Sequence, residues 1–269
     1  MNCKKLLALL LTLVMLVTVL PIGALTVSAE NTTEFLGGDG TEENPYLISN
    51  KTHLNNVRNH LDAHFKMVAD IEFTEADFAK GGEFYNDGQG WKPIGGAGEP
   101  SFFTGSFHGN SHTIAGLISH RSSVAGLFGH NNGTIQNLGM INGEMSASSV
   151  GGIAETNYHG TISQCYNTSN VTATSMSSDA YAGGIAGKNY GSINNCYNTG
   201  SVSGVSSAMS LGTYAGGIAG KNCGTLSECY NQGIINSTAI FDAIYGTSSY
   251  VYTITPCCRI YIRYINQEA

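Results

Sequence analysis

The sequence predicts an all-β protein, a right-handed parallel β-helix or β-solenoid with a small α/β cap at its N-terminal end. Three observations predict it. The chain of 269 residues has 35 glycines, only 5 prolines and 12% charged residues, which suits many short strands joined by tight turns. Four segments align on one another, the mark of stacked structural repeats. Apolar residues make up 42% and are regularly spaced, which argues against disorder.

Residues 1–29 read as a secretory signal. Lys4 and Lys5 precede an apolar run from Leu6 to Leu20, Pro21 and Gly23 break it, and Val27-Ser-Ala29 offers a cleavage site after Ala29. The run is too short to span a bilayer, which takes about 20 residues, and no later segment is long and apolar enough. Losing Lys4 and Lys5 takes the net charge from −7 to about −9. An acidic chain of this kind is a poor partner for nucleic acid. The expectation is a secreted or cell-surface protein that does not span the membrane.

Residues 30–80 read as the cap. Leu54, Val57, Arg58 and Leu61 have helical spacing, with Ser49 or Thr52 as N-cap. A strand at 45–48 precedes this helix and one at 64–73 follows it. Such a cap covers strand edges that an open solenoid end would expose. Residues 81–123, with Trp91 and Phe107, form the first coils.

The repeats occupy residues 124–236. Their anchoring glycines, Gly126, Gly152, Gly184 and Gly217, are 26, 32 and 33 residues apart. Constant motifs at unequal spacing imply a fixed coil with insertions, placed at 174–179 and 205–213. Each coil reads as three strands: Gly-Gly-Ile-Ala-Gly, then a segment such as Ser192–Asn198, then one such as Gly200–Gly204. Stacked coils, about 4.8 Å apart, would align Ile135, Ile162, Ile193 and Leu226 in one ladder. Leu138, Cys165, Cys196 and Cys229 would form a second, Tyr166, Tyr197 and Tyr230 a third, and Asn167, Asn198 and Asn231 a fourth. Strict alternation cannot bury both Ile193 and Cys196, so a bend or bulge between them is expected.

These repeats resemble the GLUG motif, named for the Gly-Leu-x-Gly core present here as Gly126-Leu-Phe-Gly129. It recurs with Ile as Gly184-Ile-Ala-Gly187 and Gly217-Ile-Ala-Gly220. The second repeat departs, with Glu155 in place of the last glycine. The resemblance spans about residues 37–236. It implies a bacterial surface protein, adhesin-like or resembling the non-catalytic parts of some immunoglobulin A proteases, with no defined ligand.

Several motifs suggest chemistry and are outweighed by structural readings. Residues 183–189 and 216–222 superficially resemble a phosphate loop, but the glycine spacing is short and Asn follows the Lys. His60 and His64 have metalloprotease-helix spacing without the catalytic Glu. The acidic groups Asp70, Glu72, Glu75 and Asp77, and Asp39, Glu42 and Glu43, lack a calcium-loop pattern. The ladder cysteines share their position with Leu138, which favours buried thiols over disulfides between coils. Sequons at Asn132, Asn167 and Asn236 matter only in a glycosylating host.

No catalytic constellation, metal site or cofactor site is identified, and the chain is expected not to be an enzyme. The leading expectation is an adhesive or binding solenoid for an unknown host or matrix protein or glycan. The alternatives are a polysaccharide-processing β-helix enzyme and a structural spacer of a truncated larger surface protein. After Asn236 the pattern stops, and residues 237–269 form an atypical tail. It reads either as a capping strand pair or as the remnant of a longer chain.

Overall fold

The computed structural model describes residues 34–96, 102–206 and 212–239. The expected signal at 1–29 and Cys257, Cys258 and most of the tail lie outside them. No helix among the described residues is long and apolar enough to cross a membrane.

The chain winds into a parallel β-solenoid. Five sheets run along its length, with seven, six, five, four and four strands, and the named strands pair in parallel throughout. A complete coil uses one strand from each sheet. The third repeat shows this with β17 (Ala180–Gly183), β18 (Ala186–Asn189), β19 (Ser192–Asn194), β20 (Tyr197–Asn198) and β21 (Val202–Ser206).

A coil therefore has five strands rather than the expected three. Gly-Gly-Ile-Ala-Gly is a corner between two strands, not a strand. The expected bend between Ile193 and Cys196 is real: Asn195 has φ +52. Asn137, Gln164 and Glu228 take the same left-handed conformation at the equivalent place, with φ +53, +54 and +53. Asn is the side chain that tolerates it best. Each coil's corner amide then bonds to the next coil, Gln164 N–H to Asn194 O at 3.0 Å and Asn195 N–H to Ser227 O at 3.0 Å. The left-handed residue rotates the chain, so Ile193 and Cys196 both reach the interior.

The interior is built of ladders. Register places Tyr46, Phe65, Phe107, Ile135, Ile162, Ile193 and Leu226 in one column. Leu138, Cys165 and Cys196 are buried and Cys229 half-buried. Asn167 Nδ2 donates to Asn198 Oδ1 at 2.9 Å, and Asn198 Nδ2 to Asn231 Oδ1 at 2.8 Å. The same amides also close their own turns, as Asn198 does on Gly200 O at 2.8 Å. A second amide ladder, absent from the sequence-based expectation, joins Asn131, Asn157, Asn189 and Asn222 through bonds of 2.7 to 2.8 Å.

The first glycine column needs a correction. Gly152, Gly184 and Gly217 each face a ladder amide, and a Cβ at Gly184 would lie 2.4 Å from Asn198 Cγ. Gly126 faces none. Register pairs Ala125 with Val150 and Phe128 with Ala154, so two residues span the first corner where three span the second. The physical reason lies across the coil, where Met140 is the register partner of Asn167. With no amide there, the first repeat does not need the Gly-Gly corner.

The sheet that runs through the repeats extends back through β2 (His64–Met67) to β1 (Tyr46–Ile48), so the segment read as cap supplies the first strands of the solenoid. The helix is Lys51–Asn56, followed by a 3₁₀ turn at Val57–Asn59. Its N-cap is Asn50, whose Oδ1 accepts from His53 N–H at 2.8 Å, rather than Ser49 or Thr52. Leu54 and Val57 are buried as expected. The strand expected at 64–73 is two, because the chain turns at 68–70 before β3 (Ile71–Glu72).

Candidate functional site

Two outer faces collect functional groups. The first is a groove of about 810 Å³ on the seven-stranded sheet. Its floor follows from the period-two geometry of strands. While the column from Phe65 to Ile162 points inward, the residues on either side point out. One outward row contains His64, Ser106, Thr134 and Thr161, and the other Lys66, His108 and Gln136. Glu42, Glu43, Asp62, Asn132 and His159 also line it. Burial, and then the nearby Lys66 ammonium, lower the pKa of His108.

His64 Nδ1 lies 2.8 Å from Ser106 Oγ inside this groove. His120 Nδ1 lies 2.7 Å from Ser146 Oγ on another sheet. Both pairs are register partners on neighbouring coils. The repetition marks the contact as a stacking device of the scaffold rather than a nucleophile and its base.

The second face is the crease where the two four-stranded sheets meet. The sheets approach so closely that a Cβ at Gly187 would lie 2.9 Å from Val150 O. Glu155 occupies the same column, and its departure from the glycine leaves the strand register intact, with Ala154 opposite Ala186 and Thr156 opposite Lys188. Its carboxylate is 2% exposed. Lys188 Nζ lies 2.9 Å from one oxygen, and Thr156 Oγ1 donates to the other at 2.6 Å. His130 Nε2 lies 3.5 Å away. Burial pushes the carboxyl pKa up, but the His130 hydrogen bond, the Lys188 charge and the Thr156 hydroxyl outweigh it and hold the group at about 2.

The other singled-out residues have structural partners. Lys188, part of the phosphate-loop lookalike, is the partner of Glu155. His60 and His64 do not share a helix: His60 pairs with Glu34 at 2.8 Å, and His64 lies on β2. Asp70 accepts from Thr113 N–H at 2.7 Å, and Asp77 caps the turn at Thr74 and pairs with Lys51. Asp39 closes a turn with Thr41. Among the described residues no group of three or more His, Cys, Asp or Glu is placed to hold a metal ion. Cys165, Cys196 and Cys229 are free thiols. The hydrogen bond with Cys165 raises the Cys196 pKa, and that with Cys196 raises Cys229, so neither is an activated nucleophile. Asn167 is fully buried and unsuited to carry a glycan.

Sequence reasoning missed the Glu155 cluster and the groove. The cluster had a signal, because the one non-glycine in a glycine column was visible. The groove had none, because its rows come from cap and repeats together.

Fold and repeat together define a parallel β-solenoid repeat protein. A family model of the GLUG motif matches residues 178–203, so the third repeat carries that motif. It is 37% identical over 145 residues to a protein of Evansella cellulosilytica described as a Gly-rich membrane protein, an alignment covering 49% of this chain and 16% of that one. It is 34% identical over 159 residues to halomucin of Haloquadratum walsbyi, covering 56% of this chain and 2% of that protein. The chain thus spans a small part of the length of these curated relatives. A crystal structure from Bacteroides ovatus, described as an immunoglobulin A1 protease, is 28% identical with a TM-score of 0.59, covering 77% of this chain and 62% of that one.

Proposed function

We propose that the protein is a secreted or surface-displayed, non-catalytic binding solenoid that holds host or matrix glycan or protein against its polar groove. The observation that carries this reading is the groove itself. It is a regular face of parallel strands presenting hydroxyl, amide, imidazole and ammonium groups in register. Such a face suits an extended ligand with repeated hydrogen-bonding groups. The short insertion after β16 (Asn170–Ser175) adds a second exposed surface, where Met176 is 82% exposed. Residues 1–29 would direct the chain out of the cell.

The test is a glycan and matrix-protein array probed with the wild type and a Lys66→Ala/Gln136→Ala double variant. The expected result is binding to a restricted set of ligands that the variant weakens at least tenfold. Equal binding by the two proteins, or no binding to any spot, overturns the reading.

A polysaccharide-processing enzyme is the second reading. Its support is the three groove carboxylates, Glu42, Glu43 and Asp62. Release of new reducing ends from array-positive glycans, abolished by Glu42→Gln/Glu43→Gln, would replace the first reading with this one.

A further inference from the structure

The repeat coils are nearly devoid of cations. Between residues 124 and 239 the sequence holds two lysines and no arginine, Lys188 and Lys221. These two are register partners on adjacent coils, and His130 stands in the same column two coils earlier. Like charges directly opposite each other on neighbouring strands are destabilising. The stacked pair therefore carries a like-charge cost. Glu155 pairs with Lys188 at 2.9 Å, and Lys221 is the register partner of Lys188 on the next coil.

Tyrosines flank this column on both sides. On one side Tyr181 and Tyr214 stack at 4.9 Å with planes 7° apart, and Lys188 Nζ lies 4.8 Å from the Tyr181 ring centre. On the other, Tyr158 and Tyr190 stack at 5.9 Å, and Lys221 Nζ lies 5.7 Å from the Tyr190 ring centre. Tyr190 is 38% exposed. The third coil has the order ring, cation, ring, as Tyr181, Lys188 and Tyr190; the coil before it adds Tyr158 and the coil after it adds Tyr214 and Lys221, at a coil spacing of about 4.8 Å.

We propose that this strip is a binding site for an acidic polysaccharide of the polyuronate class, laid parallel to the solenoid axis. The ammonium groups meet sugar carboxylates, and the tyrosine rings meet the apolar faces of the sugars. Rigid rings carrying one charge per sugar match cations one coil spacing apart between aromatic rows. Nucleic acid is a poorer match, because its affinity rests on many phosphate contacts and the strip offers two lysines. The strip runs along the two four-stranded sheets and shares no lining residue with the groove on the seven-stranded one, so the two sites can be tested independently.

The test uses the full chain and measures binding to alginate, neutral dextran and polyglutamate by calorimetry at low and high salt. Alginate is expected to bind at low salt and to be released by high salt, with dextran and polyglutamate much weaker. Lys188→Gln/Lys221→Gln should weaken alginate at least tenfold, while Lys80→Gln, outside the strip and the groove, leaves it unchanged. Glu155→Gln removes the internal carboxylate that competes for Lys188 and should tighten alginate severalfold. The proposal is overturned by unchanged binding of the double-lysine variant, by equal binding of dextran or polyglutamate, or by no alginate binding at low salt. If the double-lysine variant does not fold, Glu155→Gln decides: unchanged or weaker alginate binding refutes the site.

Discussion

The first coils and the repeat coils share one solenoid but fill it differently. Up to about residue 123 the core is aromatic and irregular. Trp91 is fully buried between Phe73 and Phe84, with centroids at 5.8 and 5.6 Å, and its indole N–H donates to Leu127 O at 3.1 Å. The buried face of Arg58 covers it at 5.0 Å, and burial lowers the Arg58 pKa to about 10. From Val124 onward the core passes through Leu127, Phe128, Leu138, Met140 and Met145 of the first repeat into Ile, Ala, Val and Cys columns, and its corners are held by two amide ladders. A coil that repeats can share one solution with its neighbours, because each side chain meets its own kind above and below. A coil at the end has no such neighbour and relies on large rings that seal an irregular space.

That contrast predicts where damage is greatest. Trp91→Ala removes the largest buried side chain of the first coils and its bond to the first repeat. A loss of about 3–5 kcal/mol is expected, read as the shift in a urea unfolding curve. Asn198→Ala strikes the repeat region. It leaves Gly200 O and the neighbouring amides Asn167 and Asn231 short of buried partners, and about 2 kcal/mol should be lost. If Asn198→Ala proved as costly as Trp91→Ala, amide ladders rather than the aromatic seal would hold the molecule together. If it proved harmless, the ladders would be ornaments of the columns beside them.

What the sequence revealed follows the same division. The Ile, Cys, Tyr and Asn167 ladders were legible because register and repetition are the same fact in a stacked coil. The left-handed corner at Asn195 was legible only as a need, since alternation failed between Ile193 and Cys196. Its occupants, Asn137, Gln164, Asn195 and Glu228, share a backbone angle and not a side-chain type. The mismatch at Gly126 was hidden because sequence alignment sees a shared glycine, whereas the space beside it depends on Met140 or Asn167 from a distant sheet. The helix position was legible from Leu54 and Val57, while its cap depended on which of three neighbouring polar residues reached the first free amide. The groove escaped entirely, because its two rows run across the boundary between the irregular coils and the repeats.

Glu155 is where the repeat coils break their own rule, and it offers the finest test of the comparison. Its pKa is lowered from 4.5 to about 2 in the folded chain. A lowered carboxylate pKa stabilises the fold fully above about pH 4.5, and that stability is lost as pH falls toward 2. Lys188 and His130 are each 25% exposed on their side chains, so solvent screening reduces the effect to about 1–2 kcal/mol. The wild type should therefore lose more stability than Glu155→Gln between pH 4.5 and 2, measured by urea unfolding at several pH values. Comparing the two proteins isolates Glu155 from the other lowered carboxylates, among them Asp70 and Asp77. Parallel pH curves would mean that the crease tolerates the neutral acid as well as the ion. The departure from glycine would then contribute nothing to the fold, and Lys188 would be held by Tyr181 rather than by its carboxylate.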